Sequence, residues 1–119
     1  MNKNRDIGYL KDIKESIELI NSYLADVSKL EFFDNQEKQD AVVNRLMVMG
    51  EAAKLLSQDT RNKYSRVSWD DMAGMRDILI HRYHGIDIET VWETVKKDLP
   101  EVEEQIVGII EELKERKEA

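Results

Sequence analysis

Between residues 74 and 85 the chain reads GMRDILIHRYHG, and four of these side chains have types and spacing suited to proton-transfer chemistry on an anion. Arg76 can clamp a phosphate, and His81 can take or give a proton near neutral pH. Asp77, four residues before His81, can orient one imidazole nitrogen, and Tyr83 adds a hydroxyl. Each residue also has a plainer reading. Arg76 falls in one helical stripe with Trp69, Met72, Leu79 and Tyr83, where an unpaired guanidinium would cost several kcal/mol. Glu51, or an acidic residue of the first helix, would make it a structural salt bridge. An Asp77–His81 pair is also common as an inert surface contact, and His84 suits a helix C-terminus, where it complements the dipole. Asp77, His81 and His84 could instead form a two-histidine, one-carboxylate metal set. A helix ending near Gly85 presents the third ligand poorly, however, and no fourth ligand is evident.

These groups need a helix to hold them. Five residues of ideal helix turn through about 140°, so Arg76 and His81 do not share a stripe. Either the long arginine reaches round, or two copies of the helix meet about a twofold axis and each cleft mixes groups from both chains. Proline occurs once, glycine five times, and no segment alternates as a strand would, so the chain reads as all-helical. The first helix is expected from about Asn4 to Val27, with Ile13, Ile17, Ile20 and Leu24 at helical spacing. SKLEFFDN interrupts it, and Asp34 or Asn35 caps a second helix to about Ser57 that buries Val42, Leu46, Met49, Ala53 and Leu56. Gly50 in that helix suggests another backbone approaching closely. A polar connector, SQDTRNKYSRV, leads to Ser68, which with Asp71 resembles a capping box opening the third helix. Gly85 ends that helix, Asp87 caps a fourth and shorter one, and Pro100 marks the start of the last. Four long helices and one short one, joined by short connections, predict an up-and-down bundle forming a single domain over residues 1–119.

Composition narrows the function classes. Without cysteine there are no disulfides, no thiolate chemistry and no cysteine-ligated zinc, and nothing favours an oxidising compartment. No apolar signal core or membrane-spanning run is evident, so a soluble, cytoplasmic protein with no membrane partner is expected. The net charge of −7 disfavours non-specific binding to phosphate backbones, but the acidity is concentrated: residues 87–119 carry eleven acids against five bases, and residues 1–86 fourteen against thirteen. Arg45, Lys54, Arg61, Lys63, Arg66 and Arg82 are candidates for a local basic patch. The third helix carries Trp69, Met72, Ala73, Met75, Ile78, Leu79 and Ile80 around most of its circumference, more than one face of a small bundle requires, which predicts a homodimer.

The stretch RDILIHRY resembles the R-x-x-x-x-H-x-Y signature of HepT-like toxins in the HEPN superfamily, including the polar residue after the arginine. QDAVVNRLMVMGEAAKLLS, WDDMAGMRDILIHRYHGIDIETVWETVKKDLP and the helical tail are similar to that family in the expected order. The resemblance implies an all-α HEPN bundle, usually dimeric, that acts as a metal-independent endoribonuclease with paired motifs lining a cleft between the protomers. It also implies a partner, a minimal nucleotidyltransferase antitoxin of the MNT type that can transfer AMP to the motif tyrosine, here Tyr83. On that basis His81 is the acid/base, Arg76 stabilises the phosphate as charge builds, Asp77 supports His81, and Tyr83 is the regulatory residue. RNA supplies its own 2′-OH nucleophile, so 2′,3′-cyclic phosphate products would follow. The reading from a different class is a non-catalytic helical module that binds a nucleotide or stabilises a nucleotidyltransferase, which the net acidity favours.

Overall fold

A computed structural model describes residues 2–81 and 87–118, with side-chain environments for residues 5–80 and 87–115. Helix α1 spans Asn2–Tyr23, α2 Lys29–Phe33, α3 Gln36–Leu55, α4 Gln58–Lys63, α5 Trp69–His81, α6 Ile88–Glu93 and α7 Leu99–Glu118. A π-helical turn, Thr94–Asp98, joins α6 to α7. There is no strand among the described residues. The bundle is built around α3, which packs on α1 along one side and on α5 along the other, while α7 covers the far side of α1. The apolar stripes account for this order. Leu10, Ile13, Ile17, Ile20 and Leu24 are buried against Val42, Leu46, Met49, Ala53 and Leu56 of the α3 segment and Ile106, Ile110 and Leu113 of α7. Asn35 caps α3 as expected, its side-chain oxygen accepting from the Lys38 N–H at 2.9 Å, and Asp87 caps α6 by accepting from Glu89 and Thr90. Among the described residues no helix is long and apolar enough to cross a membrane.

The four long helices form, but two local expectations are corrected. Helix α1 stops at Tyr23 rather than Val27, because Asp26 takes a left-handed conformation (φ 60°) that aspartate tolerates better than most residues and that no α-helix can continue through. The two connectors are themselves helical, so α6 is not the only short helix. Ser28 caps α2 by accepting from the Glu31 N–H, and the short helix tucks Phe32 fully into the core, 5.4 Å from the Trp92 ring. The SQDTRNK stretch forms α4, capped by Ser57. Pro100 lies in the first turn of α7, as expected of a proline that marks a helix start. The Leu99 N–H donates five residues back to the Thr94 carbonyl, and this wider turn accommodates a proline that has no N–H for Lys96 and whose ring would press on that carbonyl.

One buried carboxylate ties the two ends of this arrangement together. Asp6 of α1 is buried and accepts from the Ser57 N–H at 3.0 Å, from the Ser57 hydroxyl at 2.6 Å and from the Thr60 hydroxyl. The carboxylate thus completes the cap of α4 from a distant point in the sequence. Asp6→Ala would strand two hydroxyls and an amide out of water, so it is expected to destabilise the protein by about 1–3 kcal/mol, read as a lower midpoint in urea unfolding with an unchanged slope.

Candidate active site

The site is positioned by the contact of α3 with α5. Gly50 lies where the two backbones come closest: a Cβ built on it would stand 2.2 Å from the Arg76 Cβ and 2.7 Å from the Met72 carbonyl oxygen. The glycine is therefore the space that the Arg76 side chain passes over. On α5, Trp69 and Leu79 are buried, Met72 and Met75 pack at the edge of the core, and Arg76 emerges between them. The Trp69 indole N–H donates to the Tyr64 carbonyl at 3.0 Å, fixing the start of the helix.

Arg76 keeps about a quarter of its side chain exposed, 26%, with its two terminal nitrogens spoken for. Nη2 stands 3.1 Å from Glu51 Oε2, and Nη1 donates to Asp77 Oδ1 at 3.1 Å. The salt bridge to Glu51, one of the two plain readings of Arg76, is thus present, yet the guanidinium remains open to a ligand. Lys54 joins from α3, its ammonium 3.4 Å from the same Asp77 oxygen. The Arg76 hydrogen bond, aided by Lys54, holds the Asp77 carboxyl below the usual carboxylate range against the opposing effect of desolvation. The ionised pair is therefore complete above the ordinary carboxylate range and is lost as pH falls through the lowered value.

Arg76 and Asp77 are brought together with Glu51 and Lys54. His81 is the last residue of α5, but its side chain, together with Tyr83 and His84, lies outside the described residues. Lys54 was legible only as one candidate cation among six. Its signal is the spacing Gly50, Glu51, Lys54, which sets both charged residues on the face that meets α5. Three of the other candidates have their contacts elsewhere. Lys63 faces Glu112 at 3.8 Å, Arg61 reaches Gln58, and Arg66 lines a cavity of about 270 Å³ with Asp71, Asp98 and Glu101. Arg82 lies outside the described residues. No group of three or more metal-binding side chains occurs among the described residues, which do not include His84 or the His81 side chain.

The model of the family described as Ribonuclease HepT-like matches residues 13–109, which span every element of this site. The chain belongs to the HepT-like family. Among curated proteins, the HepT-like chain is 47% identical over 109 residues to a Methanocaldococcus jannaschii protein named "Gamma-glutamylcyclotransferase and putative RNase", covering 92% of this chain and 49% of that one. It therefore spans about half the length of that relative. It is 41% identical over 113 residues to a "Putative RNase" of the same organism, covering 94% of this chain and 97% of the relative. It is also 40% identical over 92 residues to the "Probable ribonuclease HepT" of Thermococcus cleftensis, covering 77% and 84%. No solved structure matches the chain. Within this HepT-like chain, Arg76 and Asp77 are the two α5 residues that meet Glu51 and Lys54.

Proposed function

We propose that this protein is a metal-independent endoribonuclease, the toxin of a HEPN/MNT toxin–antitoxin pair. The observation that carries the reading is a partly exposed Arg76 held by carboxylates on both sides of its fork, within a chain that matches a ribonuclease family from residue 13 to 109. Arg76 stabilises the phosphate as negative charge builds on it, and His81 moves the proton from or to the reacting oxygens. Asp77 supports the pair. Tyr83 is the regulatory residue: AMP added to its hydroxyl by a nucleotidyltransferase antitoxin would bring bulk and negative charge near Arg76 and repel RNA.

A homodimer fits the apolar surface left over on α5. Ile78 is 54% and Ile80 39% exposed, and Leu55 on the neighbouring helix is 50% exposed. A second copy covering them would bring two signature motifs toward one cleft. The alternative, a non-catalytic nucleotide-binding or partner-stabilising subunit of a nucleotidyltransferase, draws on the net charge of −7 and on the scatter of the other basic side chains. Incubating the purified protein with RNA in EDTA separates the readings. Cleavage to 2′,3′-cyclic phosphate ends is expected, with a dimer in light scattering at micromolar concentration. Cleavage lost in EDTA would point to a metal site, and no cleavage in either buffer to the non-catalytic subunit.

A further inference from the structure

Glu51, Arg76, Asp77 and Lys54 alternate in sign along a chain of contacts of 3.1, 3.1 and 3.4 Å between two helices. Two cations therefore converge on one carboxylate oxygen, Asp77 Oδ1, and Lys54, unlike Arg76, has no second carboxylate partner among the described residues and shares this one. A phosphodiester presents two non-bridging oxygens to the two cations, which here share the single oxygen Asp77 Oδ1. We propose that Lys54 is a second phosphate-binding residue of the site, gripping the RNA backbone beside Arg76. The assignment rests on the ribonuclease reading and adds to it a residue outside the signature motif.

The geometry favours this lysine over the others. Its ammonium has three donors and spends one on Asp77, while its side chain stays 43% exposed and within reach of a ligand. It is carried on α3 one turn beyond Gly50, so the same close helix contact that places Arg76 also places Lys54. Lys29 and Lys97, by contrast, are drawn to Glu89 at 3.0 Å and Glu93 at 2.6 Å, away from this face. A chain with seven excess negative charges needs such a local cation pair to hold an RNA phosphate at all. Asp77 keeps the two cations aligned until the phosphate arrives, and Glu51 retains the other prong of the arginine fork.

The test is binding of a 2′-O-methyl RNA oligonucleotide, which lacks the nucleophile, across a salt series, together with cleavage of the unmodified RNA. Lys54→Met is expected to weaken binding about tenfold and to reduce the slope of log affinity against log salt by about 0.7, the value of one single-strand phosphate contact, while raising KM more than it lowers kcat. Lys54→Arg should restore most of both. In an Asp77→Asn background the effect of Lys54→Met should persist, since the lysine acts on phosphate directly. The proposal is overturned if wild type cleaves RNA and Lys54→Met keeps its KM and salt slope, if the effect vanishes with Asp77→Asn, or if Lys29→Met gives the same change. If wild type neither binds nor cleaves RNA, the ribonuclease reading itself falls, and Lys54 with it.

Discussion

Gly50→Ala is expected to lower the melting temperature by roughly 5–10 °C and to reduce RNA cleavage at temperatures where the variant is still folded. Alanine is the better helix former by about 0.5–1 kcal/mol, so on an isolated helix the substitution would stabilise. Here the added methyl would meet the Arg76 Cβ at 2.2 Å and the Met72 carbonyl oxygen at 2.7 Å. Neither neighbour is the free end of a flexible side chain, so relief requires α3 and α5 to move apart. Overpacking of this kind costs about 1–3 kcal/mol, with the upper end expected because backbone must shift. Any separation also stretches the Arg76–Glu51 and Lys54–Asp77 contacts, which bridge the same two helices. Gly108→Ala on α7 is the control: nothing lies within 4 Å of its added Cβ, so the melting temperature should hold or rise. Equal effects at both glycines would refute the close-approach account of Gly50.

His81→Ala and Arg76→Ala are expected to have the largest effects on function, each lowering the cleavage rate by about 10²–10⁴-fold. Loss of a positioned acid/base is worth that range, and loss of a charge-stabilising donor about 10²–10³. The two classes of residue are told apart by stability. The Arg76 pair with Glu51 is reached by solvent, with side chains 26% and 48% exposed, and pairs of this kind contribute roughly 0–1 kcal/mol. Arg76→Ala should therefore leave helical circular dichroism and the melting temperature close to wild type while cleavage disappears. A marked drop in melting temperature with cleavage per folded molecule intact would make Arg76 a structural brace. Arg76→Lys should recover little activity, because a lysine keeps the charge but cannot present two parallel N–H groups to a phosphate.

The long helices were legible because each carries an apolar stripe several turns long: Ile13, Ile17 and Ile20 of α1 and Val42, Leu46 and Met49 of α3 are buried as their spacing predicts. The close approach at Gly50 was expected from a glycine at mid-helix, but Gly8, Gly74 and Gly108 are also helical with nothing within 4 Å of an added Cβ, so the packing of α3 on α5 is what distinguishes Gly50. The short helices were not legible. Helix α4 has a local cap in Ser57 but is only six residues long, and the Asp6 carboxylate that holds that cap in place comes from a remote part of the chain. Helix α2 is five residues long, too short for a periodic stripe, and is held by one buried ring, Phe32. Around the candidate site, the motif singled out Arg76 and Asp77 and the need of a guanidinium for an anionic partner pointed to Glu51, but Lys54 acquired meaning only once α3 was laid against α5.

The π turn at Thr94–Asp98 bears on how this part of the molecule tolerates changes in length over evolutionary time. Such a turn fits one residue more than an α turn into nearly the same arc, so the stripes before and after it stay in phase, and Val91 and Ile106 both face the core. A lineage that loses one residue between 94 and 98 can close the turn to α without rotating the face that packs on α1. The deletion has to be accompanied by loss of Pro100, because in a closed turn its ring would collide with the carbonyl four residues earlier. Residues 88–118 thus hold a place where removal of one residue, together with replacement of Pro100, is expected to leave everything downstream in position.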